Sequence, residues 1–444
     1  MRLTWEGHRS LIALFALLLT LALGVAACGD DDDDSSGGGG GGGSSAAEEP
    51  AAEASKCGLG NGEKASGEPI KLGAIITKQP GVDFTDISDM SKAYFDCVND
   101  NGGINGRPVQ YVVKTEQTNP QQVASLATKL LENDKVVGFV GSTSLLDCDV
   151  NDKLYREHDI YPIVAGVPKA CFTTPNIAAV NMGPHYSTLG AAQYLERAGA
   201  KSIVSVANKQ PGAEWNNQGA SEYAKSKGLP SKEFLEVVPI TDGAALALKL
   251  VEAAGDGGGV ILDFIPPEAL KVLQGAEQQG LIDKVKWACA TPCNDASIAQ
   301  ALGPAWDGKL GVNAELNLVD SKGADNQLYL ETQKKYAPDS AIGSFGQMGF
   351  TAARIATQAL LDMPKDSDYS LKSVNEAFHN IKGFKTDILC NPWTFGTGDQ
   401  HVPNDADRTI VPEDHKWVEK EGCFDIAALP NNPLAEIRKA NAEG

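Results

Sequence analysis

From about residue 69 onward, short apolar runs alternate with longer stretches in which apolar residues recur three and four places apart. The short runs 70–76, 109–113, 136–140 and 161–164 read as strands. Between them, 87–101 puts Met90, Tyr94 and Val98 on one helical face, and 121–132 and 145–158 carry the same period. A second series follows, with helices at 187–199, 214–227, 243–254 and 267–280 around strands at 202–206, 234–238, 259–263 and 285–289. The strands are rich in Val and Ile, as strands covered on both faces are. Repetition of strand, helix and strand predicts an α/β protein built on parallel sheets. The two series are similar in length and no disordered linker separates them. They therefore predict two doubly wound lobes joined by short crossings. Beyond them lie a strand at 309–314, helices at 323–336, 344–362 and 371–381, and an irregular stretch from about 384, rich in Pro, Gly and Asp, with short strands.

The N-terminus follows another pattern. Arg2 and Arg9 accompany an apolar run from Leu11 to Ala27 that ends in small residues and Cys28. Residues 1–28 read as an export signal, at the lower limit of length for a membrane span. The stretch Val25-Ala26-Ala27-Cys28 resembles the lipobox of bacterial lipoproteins. That resemblance implies cleavage before Cys28 and lipidation of Cys28, where several acyl chains hold a protein that one would not. Residues 29–67 begin with five aspartates, Asp30 to Asp34, and seven glycines, Gly37 to Gly43, followed by Ala- and Glu-rich sequence. No core can form there, so the segment reads as a disordered tether with a reach of roughly 30 Å. The Asp run lacks the loop scaffold of a calcium site and reads as a solvated, self-repelling spacer.

At 444 residues the chain is long enough for two or three domains. Its 38 Lys and Arg against 58 Asp and Glu leave a net charge of −20. That charge excludes a nucleic-acid footprint and adhesion to anionic lipid by charge alone. With Cys28 set aside, eight cysteines remain, an even number in an exported chain, which predicts disulfides. Eight cysteines allow on the order of a hundred pairings. Pairing neighbours along the chain joins Cys57 to Cys97, Cys148 to Cys171, Cys289 to Cys293 and Cys390 to Cys423. A zinc reading of Cys289 and Cys293 needs further Cys or His ligands, and none lies nearby in sequence. No metal and no cofactor is expected.

Three stretches carry a family resemblance. Ile70-Lys71-Leu72-Gly73-Ala74-Ile75 looks like an opening strand. Asp100-Asn101-Gly102-Gly103-Ile104-Asn105-Gly106-Arg107-Pro108 is the most specific, a helix-to-strand corner. Gly141-Ser142-Thr143-Ser144 follows an apolar strand as a ligand loop does. Over roughly residues 68–420 the chain resembles the type I periplasmic binding proteins, within them the leucine and branched-chain amino-acid group. The resemblance implies a hinge crossed three times, near residues 182, 308 and 388. One lobe would be 68–182 plus 309–387, the other 183–308 plus 388–430, with 431–444 a C-terminal tail. The corner also stands on its own physics: glycines end the helix, Asn105-Gly106 turns, and Pro108 opens a strand without needing a donor.

In doubly wound sheets ligands sit beyond the carboxyl ends of the strands. The candidate ligand residues are therefore Thr77 and Gln79 after the first strand, Ser142, Thr143 and Ser144 before a helix N-terminus, and Gly166 and Val167. In the second lobe they are Trp215, Phe264 and Glu268. Amino-acid-binding relatives imply hydroxyls and backbone for the carboxylate and an acid for the amine. Glu268 is open to two readings, that acid or a first-turn helix cap, and Trp215 to two, a ligand-covering ring or a plain structural Trp. The chain has Leu145 where the family often has a Ser, which leaves room for another small organic solute.

The sequence carries no Gly-x-Ser-x-Gly, no His-Glu-x-x-His and no Gly-x4-Gly-Lys-Ser/Thr, and its six His are scattered, so no catalytic residues are assigned. The resemblance implies an extracytoplasmic solute-binding lipoprotein of an ABC importer, not an enzyme. It would be a monomer held to the outer face of a bacterial cytoplasmic membrane by lipid only. Its partners would be a small polar solute, a permease and the permease's ATPase. A sensory receptor of the same fold is the alternative, and an exported α/β enzyme a more distant one.

Overall fold

The computed structural model describes residues 55–430 and 432–443. The expected signal, the expected lipidation site Cys28 and the expected tether as far as residue 54 lie outside the described residues. The first lobe runs through β1 (Ile70–Gln79), its short antiparallel return β2 (Val82–Asp83), α1 (Thr85–Asn99), β3 (Val109–Glu116), α2 (Pro120–Glu132) and β4 (Gly138–Ser142). It continues with α3 (Asp147–Glu157), β5 (Ile163–Val164), α4 (Ala170–Thr173) and β6 (Ala178–Ala179). β3, β1, β4, β5 and β6 lie side by side and parallel.

The chain then enters a second sheet. It passes through α5 (Gly183–Arg197), β7 (Ile203–Asn208), α6 (Ala213–Ser226), β8 (Ser231–Glu236), α7 (Gly243–Ala254) and β9 (Gly259–Asp263). After α8 (Pro266–Gln278) come β10 (Lys286–Cys289), α9 (Ala296–Ala301) and β11 (Leu310–Asn313). Helices α10 (Ala324–Tyr336), α11 (Ser344–Asp362) and α12 (Leu371–His379) return to the first lobe, where α11 shares a core with α1. The hairpin β12 (Ala406–Glu413) and β13 (Lys416–Asp425) goes back to the second, and α13 (Leu434–Glu443) follows. The second sheet has the order β13-β12-β11-β10-β9-β7-β8, parallel from β11 to β8 and antiparallel at the hairpin. The fold is thus two parallel-sheet lobes, and the chain passes between them three times.

Local chemistry accounts for the boundaries. Asn119 caps α2 by accepting the Gln122 N–H, with Pro120 at the first helical position, and Asp242 caps α7 in the same way. At the corner, Gly103 has φ +59° and Asn99 both accepts from and donates to the backbone of Val109, fixing where β3 begins. Strands β4, β7, β9 and β11 are buried along their whole length, which explains their largely apolar character; a polar residue closes each one.

Four boundaries differ from expectation. Leu389, Trp393 and Phe395 still pack in the first lobe's core, so the last crossing falls after Phe395 rather than near 388. β11 pairs with β10 and β12, so residues 310–313 belong to the second sheet and the middle crossing falls after Asn313 rather than near 308. The strand is short and apolar, and nothing in its own sequence says which sheet it joins. Residues 55–67 are not tether. Cys57 is buried, and the Ala65 N–H donates to Asn99 O at the end of α1. The expected tail forms α13, whose Leu434 and Ile437 enter a core cluster with Leu189 and Ala220. The structure joins Cys57 to Cys97, Cys148 to Cys171, Cys289 to Cys293 and Cys390 to Cys423.

Candidate functional site

A cleft with about 620 Å³ of empty space, its solvent-open part included, lies where the carboxyl ends of the two sheets meet. From the first lobe, the loops after β4 and β5 bring Thr143, Gly166 and Val167 to it. Helices α1 and α11 add an apolar wall of Phe84, Ile87, Phe345 and Met348, in which Phe84 and Phe345 meet edge to face at 5.6 Å. From the second lobe come Asn208 at the end of β7, Asp263 at the end of β9 with Phe264 behind it, and Glu315 just past β11. Both acids, Asn208 and Thr143 therefore arrive on the last residue of a strand or on the loop after it, while Ser187 and Asn216 come from α5 and α6.

Of the expected ligand residues, Thr143, Gly166, Val167 and Phe264 line this cleft. The other six side chains are engaged in the protein itself. Thr77 Oγ1 accepts the Leu145 N–H at 2.9 Å and donates to the Glu116 carboxylate. Ser142 Oγ accepts the Ile75 N–H at 3.1 Å. Ser144 Oγ donates to Glu116 at 2.8 Å and accepts the N–H groups of Leu146 and Asp147, each at 3.1 Å, where α3 begins. Gln79 accepts from Thr118 at 2.7 Å. The Trp215 indole is stacked on His185 at 4.6 Å and beside Phe172 at 5.7 Å. Glu268 is buried and accepts the Ile240 N–H at 2.6 Å and Lys271 Nζ at 3.0 Å.

The profile of the family described as Periplasmic binding protein matches residues 69–411. The chain belongs to that family. Solved structures agree on the fold. A branched-chain amino-acid ABC transporter protein from Thermus thermophilus with bound valine superposes with a TM-score of 0.71 at 19% identity, covering 81% of this chain and 98% of that one. A fatty acid ABC transporter substrate-binding protein from Thermomonospora curvata gives 0.69 at 18% identity, covering 82% and 94%. A solute-binding protein from R. palustris in complex with benzoate gives 0.66 at 17% identity, covering 82% and 98%. No curated protein matches the chain. The family is one of solute-binding proteins and not of enzymes.

In this periplasmic binding protein the cleft has two acids that were not among the expected ligand residues. Asp263 is 8% exposed, and its side chain has no hydrogen-bond partner among the described residues. Burial pushes its carboxyl up to about 7. Glu315 is 1% exposed and is pushed up to about 8 by burial, although the Met182 N–H and the Thr291 hydroxyl favour its ionised form. Behind Glu315 lies Asp407 on β12, also buried and held well above the usual carboxylate range by burial and by Glu315 itself. The available signal was a charged residue closing an apolar strand, Val260-Ile261-Leu262-Asp263, since an unpaired buried acid needs a reason. Among the described residues, no group of three or more His, Cys, Asp or Glu is placed to hold a metal ion. No described helix is long and apolar enough to cross a membrane.

Proposed function

We propose that this chain is an extracytoplasmic solute-binding lipoprotein of an ABC importer, taking a small organic solute in the cleft and presenting it to a permease and its ATPase. The observation that carries the reading is the cleft itself, lined by strand ends of both lobes and flanked by three chain crossings. A solute that touches both lobes favours the closed arrangement in proportion to its differential affinity for it. A micromolar dissociation constant needs about −8 kcal/mol, which two or three buried polar contacts plus the apolar wall can supply. Relatives of this fold bound to valine and benzoate support a solute of that size. The lipid on Cys28, with residues 29–54 as spacer, would hold a monomer to the outer face of the membrane while leaving it free to reach its permease.

The test is a thermal-shift screen over amino acids, amides, amines and aromatic acids, followed by small-angle scattering with each hit. A hit should raise the melting temperature with concentration and shrink the envelope. A hit that leaves the envelope unchanged would remove the hinge mechanism from the reading.

A further inference from the structure

We propose that the cleft selects an organic monocation, a primary amine or guanidinium on a hydrophobic body, in preference to a zwitterionic amino acid or a carboxylate. The inference rests on the solute-binding reading above and narrows it. Four independent features of the cleft point the same way.

First, two carboxyl groups, Asp263 at the end of β9 and Glu315 just past β11, reach it, and Asp263 has no partner among the described residues to satisfy it. Second, Asn208 Oδ1 and Gln210 Oε1, both in the lining, are buried and accept no hydrogen bond among the described residues. An apolar cavity with unmet acceptors favours a guest that brings donors. Third, among the described residues no Lys, Arg or His lines the cleft, so a ligand carboxylate would meet no positive charge. The hydroxyls of Thr77, Ser142 and Ser144, the expected holders of such a group, are committed elsewhere. Fourth, the wall opposite the acids is Phe84, Ile87, Phe345 and Met348, which suits an uncharged far end and the face of a cation. The net charge of −20 draws cations toward the protein as a whole.

The groups facing the two acids set the pH response. No other charged group perturbs Asp263. Glu315 faces the Met182 N–H, the Thr291 hydroxyl and Asp407, whose own neighbour is Arg408. A cation binds the ionised carboxylate, so its affinity rises with pH through about 7 and 8, and binding releases protons. A carboxylate guest would use the protonated acids as donors and show the opposite slope.

The experiment uses two probe triads on common bodies: phenethylamine, phenylalanine and 3-phenylpropanoate; isoamylamine, leucine and 4-methylpentanoate. Calorimetry at pH 6, 7 and 8.5 measures each against the intact exported protein. The amine of at least one triad should bind at least tenfold more tightly than its amino acid and its carboxylate, and more tightly at pH 8.5 than at pH 6. Asp263→Asn and Glu315→Gln, checked for native melting, should each weaken the amine at least tenfold and flatten the pH slope. Tighter binding of an amino acid or carboxylate, or affinity falling with pH, overturns the cation class while leaving a solute-binding cleft. If no probe binds, the cation class is overturned too, and the broad screen with scattering then decides the binding reading separately.

Discussion

Replacing Gly275 by Ala isolates one contact that supports the site. Gly275 lies inside α8, the helix that follows directly from Phe264 and Ile265 in the cleft. A Cβ added there would fall 2.5 Å from the Ala244 backbone N and 2.6 Å from the Gly243 carbonyl carbon, at the start of α7. Ordinary contact begins near 3.4 Å, so the two helices must part by about 0.9 Å. Neither neighbour is a side chain that can rotate away, and Gln279 Nε2 ties α8 to Ala244 O at 2.6 Å. Intrinsic helix propensity favours Ala over Gly by about 1 kcal/mol. Overpacking costs about 1–3 kcal/mol, and backbone against backbone belongs at the upper end. The net is a loss of about 2 kcal/mol, or roughly 2–3 °C in melting temperature for a chain of this size. Differential scanning fluorimetry of Gly275→Ala beside Gln274→Ala, an exposed neighbour expected to be neutral, reads the difference. A melting temperature equal to or above that of the unaltered protein would refute the close packing of α7 on α8.

Two further outcomes are expected. Asp147 is buried with its Oδ1 accepting from Asn151 and Tyr155 and its Oδ2 without a partner; burial pushes it up to about 6 from 3.8. A raised folded value means that its stability is full below about pH 4 and is lost as pH rises through 6, so Asp147→Asn should gain about 1–3 kcal/mol at pH 7 and nothing at pH 4; a gain independent of pH in thermal melts would show that the carboxyl is not the cause. The bond Cys148–Cys171 ties α3 to α4, one behind Thr143 and the other behind Val167, so replacing both cysteines by Ser should cost about 3 kcal/mol in denaturant unfolding, and an unchanged midpoint would show that the bond constrains nothing.

Periodicity made most of the helices legible, α11 to the residue, because each buries one broad apolar face. The corner at Gly102–Pro108 was legible because its glycines and Asn105 answer a backbone need at positive φ. What sequence could not show was which sheet a strand joins: β11 looks like any buried strand, and its partners come from residues 286–289 and 406–413. The site was half legible. Loops at strand ends were the right places to look, and Thr143, Gly166, Val167 and Phe264 lie there. But a hydroxyl in a loop is equally suited to bonding its own backbone, as Ser144 does at α3, and only packing decides which use it has. Asp263 escaped because it is the last residue of β9, one before the loop at Phe264, and Glu315 because the loop after β11 was not among the candidates.

The placement of β12 has a consequence for biogenesis. Its partner β11 comes before residues 314–405, which build α10 to α12 of the other lobe. A chain that emerges N-terminus first therefore holds the edge of β11 bare until Ala406–Glu413 arrives, and neither half can be completed alone. Any ribosomal stall or proteolytic cut before residue 406 leaves an open strand edge that a second nascent chain can pair with. A segment made long after β11 is the one that covers its edge.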